Sequence, residues 1–596
     1  MTKLTLLLDL EVYANYFLAS FKDIASGKVV ELEMYDGHPL DTARLERLIL
    51  RHTIVTFNGS SFDLPLVALA LTGVNCKRLK QAANTIINRN LRGWQFCEAN
   101  GVEMPRVDHI DLIEVAPGIA SLKIYGGRLH CPKMQDLPID HAAEITPEQR
   151  ALLREYCRND LDTTMALFNK LRPQIELREN MTKSGGMDLR SKSDAQIAEA
   201  VIANEVTKLS GKKVVRAEIK PGTTFNYITP DFVRFRTPQL QSRLAEIERA
   251  EFVVHDNGSV VEPPALKGQT VTIGQGVYRL GIGGLHSSET CQAAVADEDH
   301  ILVDRDVASY YPAIILRLGL SPKSMGDSFL KIYQGIVDRR LKAKRSGDKV
   351  TADVLKIVIN GSFGKFGSKW SKLYSPDLLI RTTVTGQLCL LMLIESMELA
   401  GIQVVSANTD GIVIRCHKSR VDEMQTLVAE WEKATGFETE ETPYRALYSR
   451  DVNNYIAIKT DGGIKLKGAY ATATLAKNPV NEICNEAAVR WLRDGTSIES
   501  TIRGCRDIRK FVTIRSVKGG AVKDGAYLGK AVRWYYAQGV TGTIQYQVNG
   551  YTVARTEGAR PLMELPAEFP TDVDHGWYIR ETLDILAAVG GFNDIG

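Results

Sequence analysis

The sequence predicts a mixed α/β chain built from several domains, and three observations carry that expectation. First, 596 residues exceed what one hydrophobic core serves, so about three to five domains or subdomains are expected. Second, short apolar runs at 4–8, 54–57, 301–303 and 403–406 read as buried strands. Third, stretches of helical periodicity lie between them, at 42–51, 146–171, 326–345 and 350–359. Composition is that of an ordinary soluble globular protein, 44% hydrophobic and 24% charged.

The bulk properties exclude several classes. No apolar run reads as a membrane span, and the N-terminal stretch MTKLTLLLDLEVY is interrupted by acids, unlike a signal peptide or anchor. The nine cysteines are scattered without a CxxC pair, so neither a zinc site nor a disulfide framework is indicated, and a reducing, cytoplasmic compartment fits. A net charge of +3 argues for no partner; the distribution of charge says more.

In chain order, the first strand ends in Asp9-Leu10-Glu11, and alternation places Asp9 and Glu11 on one face. Two such carboxylates repel unless a cation sits between them; an exposed strand edge is the alternative. The next strand leads into Asn58-Gly59-Ser60-Ser61-Phe62-Asp63 and an apolar helix, where Asp63 is either an N-cap or a ligand. On the helix at 146–171, Tyr156 and Asp160 are four apart and share a face. Asp9, Glu11, Asp63 and Asp160 thus form a candidate four-carboxylate cluster, an oxygen-only set that suits Mg²⁺ or Mn²⁺. A pair of such ions activates water at a phosphodiester, and Tyr156 would orient that water.

DLE, NGSSFD and YCRND resemble, in order, the three motifs of the 3′–5′ exonuclease domain of family B DNA polymerases. The resemblance implies an RNase H-like mixed sheet flanked by helices, with Asn58 and Phe62 holding a single-stranded 3′ end beside the metals.

Farther along, the polar stretch 182–194 reads as a boundary, 195–209 as a helix and 210–280 as β-rich. Tyr278 to His286 is glycine-rich; the glycines serve either a ligand contact or a plain turn. The stretch 301–316, ILVDRDVASYYPAIIL, carries Asp306 at a strand end, with Pro312 suited to a helical first turn. The helix at 326–345 ends in a basic cluster, and Arg340, Lys344 and, on the returning helix, Lys356 converge on a hairpin suited to a triphosphate. A solvated basic face is the alternative. Asp410, in Asn408-Thr409-Asp410-Gly411, sits at a hairpin tip and serves either the turn or a carboxylate pair with a neighbouring strand.

DVASYYP, K-x3-NGSFG and NTDG resemble motifs A, B and C of family B DNA polymerases, again in family order. The resemblance implies a right-hand polymerase of palm, short fingers and thumb beside the exonuclease domain. Asp306 and Asp410 would bridge two Mg²⁺ or Mn²⁺ ions, with a second pair in the nuclease site. Lys356, Arg340 and Lys344 would neutralise the dNTP phosphates, Tyr311 would be the sugar gate, Tyr310 a packing residue, and Asn360 and Phe363 would line the nascent base pair. Gly283 and Gly284 would stand for the YxGG template contact, although Gly281 occupies the tyrosine position. Motif C departs from the family's DTDS at Asn408 and Gly411, and motif B has Gly361 and Phe363 for the usual Ser and Tyr. The KxY element has become Asn453-Asn454-Tyr455, so Tyr455, Lys465 and Lys467 would contact the duplex.

The implied domains are an exonuclease at 1–185, a linker and palm-associated region at 186–290, palm at 291–325, fingers at 326–365, palm again at 366–480 and thumb at 481–596. In the last, nine Lys or Arg between Arg503 and Arg533 face only Asp507 and Asp524, a pattern for phosphate-backbone binding, whereas Trp534, Tyr535 and Tyr536 read as core. Resemblance is greatest to the compact phage enzymes, which implies host cytoplasm. Asp306 to Lys356 is 50 residues and Lys356 to Asp410 is 54, leaving no room for the insertions of protein-primed members. A monomer is expected that extends nucleic-acid primers on template DNA, with no membrane contact and with a helicase or single-strand-binding protein as partner. The rivals are a primer-independent primase-polymerase and an exonuclease joined to an inactive duplex-binding module; Asn408 favours the latter.

Overall fold

In the computed structural model, residues 3–592 are described. Residues 1–2 and 593–596, the outer ends of the first and last expected domains, lie outside them. The chain forms two compact units, one of residues 1–193, 472–484 and 499–579, the other of 194–471, 485–498 and 580–596.

The first unit is organised on a five-stranded sheet. The central strand Thr5–Val12 pairs antiparallel with Tyr16–Asp23, which pairs antiparallel with Val29–Tyr35. On its other side Thr53–Thr56 and then Asp108–Asp111 run parallel. This is the mixed, RNase H-like order expected. Helices Thr42–Arg51, Cys76–Arg89 and Pro147–Gly185 flank the sheet. The last starts with a capping box, Thr146 and Gln149 each satisfying the other's backbone N–H, and with Pro147 in its first turn. It runs 14 residues past the expected end at 171 because its apolar face continues through Ile175 and Met181, and that packing outweighs the hydrogen bond lost at Pro173.

The same unit holds a four-stranded sheet built on the hairpin Thr513–Lys523 and Ala526–Tyr536. Trp534, Tyr535 and Tyr536 are buried there, as expected of core residues. The cations around them are less free than the sequence implies. Arg533 is fully buried and donates to the carbonyl oxygens of Cys131, Pro132, Leu562 and Met563. Lys523 donates to the Thr541 carbonyl, and Arg509 pairs with Asp507. Two of the nine, Arg533 and Lys523, are therefore buried within the fold.

The second unit contains a ten-stranded sheet in which His300–Val307 lies between Gly411–His417 and Thr439–Asp451, antiparallel to both. The helix Pro376–Leu399 packs beneath it in the main core. By length and hydropathy this helix could cross a membrane, contrary to the sequence expectation; 83% of its most apolar stretch is buried inside the unit, where it serves as a core helix. Helices Asp194–Ser210, Asp327–Ser346 and Lys349–Lys365 form a second layer. Of the region expected to be β-rich, 238–249 is helical, started by Pro238 and packed through Leu240 and Ile247.

Candidate functional site

In the first unit, Asp9 and Glu11 project from one face of the central strand, as alternation predicts. Asp63 is the first residue of the helix Asp63–Ala70, and Tyr156 and Asp160 come from the long helix. All except Asp9, which is half-buried, are less than a tenth exposed. Burial and mutual repulsion raise the affinity of these carboxyls for protons. Burial and then the charge of Asp160 push Asp9 up to about 7. Glu11 and Asp63 are driven well above the carboxylate range by burial and then by Asp9.

Two neighbours were not legible in the sequence. Lys123, from the helix Leu122–Arg128, pairs with Asp160 and lies 4.3 Å from the Tyr156 ring centre. The Cys157 thiol donates to Asp9 Oδ2 at 3.3 Å. Ligand atoms of Asp9, Glu11 and Cys157 lie within 4.8 Å of one another. Asp111 shapes the entry loop, accepting from the backbone N–H groups of Asn58 and Ser60 at 2.7 and 2.9 Å. Asn58, with φ of 68°, is exposed, and Phe62 is half-buried.

A buried cluster of mutually repelling carboxylates with a lysine ammonium already drawn into it fits a divalent cation held by oxygen donors. This has a measurable consequence in a chelator. Asp9 binds its proton more tightly in the folded chain, so its contribution favours the fold most below the ordinary value of 3.8 and disappears as pH rises through about 7. Thermal melts in EDTA should therefore lose stability across that window, and Mn²⁺ should restore more at pH 8 than at pH 5. Equal stabilisation at both values would contradict the arrangement.

In the second unit, Asp306, one residue before the end of its strand, lies directly opposite Gly411, and the Val307 N–H donates to the Asp410 carbonyl at 2.7 Å. Asp410 lies at the tip of a two-residue hairpin loop in which Thr409 takes φ of 58°. Asp306 and Asp410 thus share the rim of a cavity of about 250 Å³, also lined by Asp304, Asn408, Tyr444, Tyr455, Lys465 and Lys467. Burial and then the charge of Asp306 raise Asp410 above the ordinary carboxylate value. Lys465 Nζ bridges Asp304 Oδ2 at 2.8 Å and Asp306 Oδ2 at 3.3 Å, while Lys467 Nζ lies 5.8 Å from the Tyr455 ring centre. Two carboxylates sharing an ammonium at an open cavity are again an oxygen-donor set that fits a divalent cation.

The departures from the family pattern have local causes. A Cβ at Gly411 would lie 2.2 Å from Asp306 Oδ1, so a serine there would displace the carboxylate. A Cβ at Gly284 would meet the Thr409 side chain at 2.6 Å; this glycine packs against the motif C turn. Gly283 is exposed, and Gln387, buried in the core helix, clamps the turn through the carbonyls of Gly281 and Gly283 at 2.7 and 2.8 Å. Asn454 closes its own turn by donating to Asp451. Asn408 donates its side-chain amide to the Val452 carbonyl at 2.8 Å. A carboxylate in place of that amide would set two acceptors against each other. Asn408→Asp should cost about 1–3 kcal/mol, lowering the melting temperature without improving catalysis; a stable, faster variant would refute this role.

Tyr310 is buried and donates to the Gly386 carbonyl at 2.6 Å, a packing residue as expected. Tyr311 stacks on Phe363 with ring centres 4.3 Å apart, and its hydroxyl is pushed up to about 12 by burial and then Asp410. The second helix of the basic hairpin does not stop at 359 but continues to Lys365. A Cβ at Gly361 would lie about 3 Å from Asp194 O and Ala195 Cα, so the glycine lets the helix Asp194–Ser210 pack closely against it. Lys356, Asn360 and Phe363 consequently fall on one helical face. Between the hairpin helices lies a cavity of about 360 Å³ lined by Arg340, Lys344, Lys349 and Lys356, with Asp353 among them. Arg340 reaches Ser309 Oγ at 3.3 Å, linking the hairpin to the Asp306 segment.

The chain is 22% identical over 502 residues to DNA polymerase 1 of Aeropyrum pernix, a match covering 76% of this chain. In this relative and in the order of its motifs the chain resembles the family B DNA polymerases. The chain spans about half of that relative, 46% of its length. A solved family B DNA polymerase from Pyrobaculum calidifontis aligns with all of the chain and 79% of its own at 15% identity and a TM-score of 0.40. No protein-family model matches the chain.

Proposed function

We propose that the chain is a template-directed DNA polymerase that extends a primer 3′-hydroxyl with dNTPs and proofreads through a separate 3′–5′ exonuclease site. The observation that carries the reading is that Asp306, opposite Gly411 on the neighbouring strand, and Asp410, in the adjoining hairpin loop, line one lysine-bearing cavity. Divalent Mg²⁺ or Mn²⁺ held by Asp306 and Asp410, and by Asp9, Glu11, Asp63 and Asp160, would supply Lewis acidity at the oxygens that gain charge. The chain's own groups do the rest. Arg340, Lys344 and Lys356 neutralise the incoming triphosphate. The Tyr311 ring, braced by Phe363, excludes a ribose 2′-hydroxyl. Asn360 and Phe363 face the nascent pair, while Tyr455, Lys465 and Lys467, with Gly283 and Gly284, meet the duplex and template.

In the nuclease site, Tyr156 orients the attacking water, and the Lys123 ammonium offsets charge developing on the scissile phosphate. Asn58 and Phe62 hold the single-stranded end. The chain is of the compact phage type and extends nucleic-acid primers. Extension of an annealed oligonucleotide on a circular template tests this. Synthesis without the oligonucleotide would favour a primase, and efficient priming from a protein hydroxyl would sink the assignment to oligonucleotide-primed enzymes. Asn408 does not favour an inactive module, because its side chain is committed to Val452 and leaves Asp410 at the cavity.

A further inference from the structure

Asp304 lies two residues before Asp306 on the same strand face. It is buried, accepts a hydrogen bond from the buried Tyr444 hydroxyl, and receives the Lys465 ammonium. Lys465 arrives from the strand Ile464–Leu466, and its second contact, to Asp306, is the longer one at 3.3 Å. A lysine beside a metal-binding carboxylate ordinarily competes with the metal, since ammonium and cation seek the same oxygens. Here a second carboxylate, itself oriented by a tyrosine, draws the ammonium aside.

We propose that Asp304 is a positioning residue that captures Lys465 and thereby leaves Asp306 available to a divalent cation. The inference rests on the reading of Asp306 and Asp410 as metal ligands. Tyr444 orients the capturing oxygen. Lys465, held more closely by Asp304 than by Asp306, keeps its ammonium at the edge of the cavity, facing arriving phosphates, in place of the lysine absent at Asn453. Burial disfavours that ammonium, but Asp304 and Asp306 together hold its proton more firmly than usual.

The test is Mn²⁺ binding followed by electron paramagnetic resonance in the full chain, on an Asp9→Ala/Asp63→Ala background that silences the nuclease site. Primer extension against Mg²⁺ concentration runs in parallel with the nuclease silenced. Asp304→Asn should weaken Mn²⁺ binding and raise the Mg²⁺ requirement about tenfold, the scale of losing a group that orients a metal ligand. Lys465→Gln should bind Mn²⁺ as tightly as the parent or tighter. In Mn²⁺ binding alone, the double variant Asp304→Asn/Lys465→Gln should return to within about twofold of the parent, because no ammonium remains to be held aside.

Equal weakening in the single and double variants would overturn the proposal, making Asp304 a ligand or a purely structural group. Unchanged binding in Asp304→Asn would overturn it too. If Asp304→Asn does not fold, Tyr444→Phe should shift Mn²⁺ binding in the same direction by a smaller factor, and Lys465→Gln should abolish that shift; no shift in Tyr444→Phe overturns the proposal. Asp306→Asn separates the two levels. Mn²⁺ binding that survives it refutes the metal reading, whereas binding lost in Asp306→Asn but unmoved by Asp304→Asn refutes the positioning role alone.

Discussion

Replacing Asp410 with alanine is expected to stop primer extension, lowering its rate at least about a thousandfold, while degradation of a single-stranded 3′ end continues. The magnitude follows from what the carboxylate does. A metal acting as Lewis acid contributes several kcal/mol of charge stabilisation, and each 1.36 kcal/mol is a factor of ten in rate. Asp410 has no substitute: Asn408 is tied to Val452, and the neighbouring Thr409 hydroxyl donates to Asn408 Oδ1 at 3.1 Å. The exchange relieves repulsion with Asp306, because Asp410 is destabilised as an anion by burial and by that neighbour. Folding should therefore be unharmed, and a melting curve distinguishes lost chemistry from lost structure. Extension by Asp410→Ala within tenfold of the parent would overturn the assignment of Asp306 and Asp410 as the polymerase pair.

The complementary result is expected for Asp9→Ala. Release of nucleotides from a 3′ single strand should fall by a similar factor, with extension of a matched primer intact. Asp9 is the centre of its cluster: its charge is among the causes that raise the proton affinity of Glu11, Asp63 and Tyr156. Removing it takes away one ligand and relaxes the remaining repulsion, so the first unit should be as stable in EDTA as the parent, or more so. The two carboxylate clusters lie in separate compact units, which is why each loss should be confined to one activity. Loss of both activities in Asp9→Ala would defeat the two-site division.

Much of the candidate machinery is legible because it obeys local periodicity. Asp9 with Glu11, and Tyr156 with Asp160, follow from the strand and helix repeats alone. The same two-residue alternation applies to Asp304 and Asp306, so Asp304 had a signal that the motif pattern, which begins at Asp306, drew attention away from. The run of Lys349–Lys365 through two glycines was less legible, since glycine ordinarily argues for a turn. The helix Asp194–Ser210 packs closely against it there, a contact that no local pattern reports.

By itself, then, the sequence determined the strand and helix repeats, the order of the motifs and which carboxylates share a face, because these depend on residues within a turn or two of one another. Tertiary structure alone decided the partners. It brought Lys123 to Asp160 across 37 residues, Lys465 to Asp304 across 161, and spent Arg533 on the carbonyl of Cys131, 402 residues away. Those pairings depend on how strands and helices stack. A charge in a sequence carries no mark of whether it will meet a phosphate, a metal-binding carboxylate or a buried carbonyl.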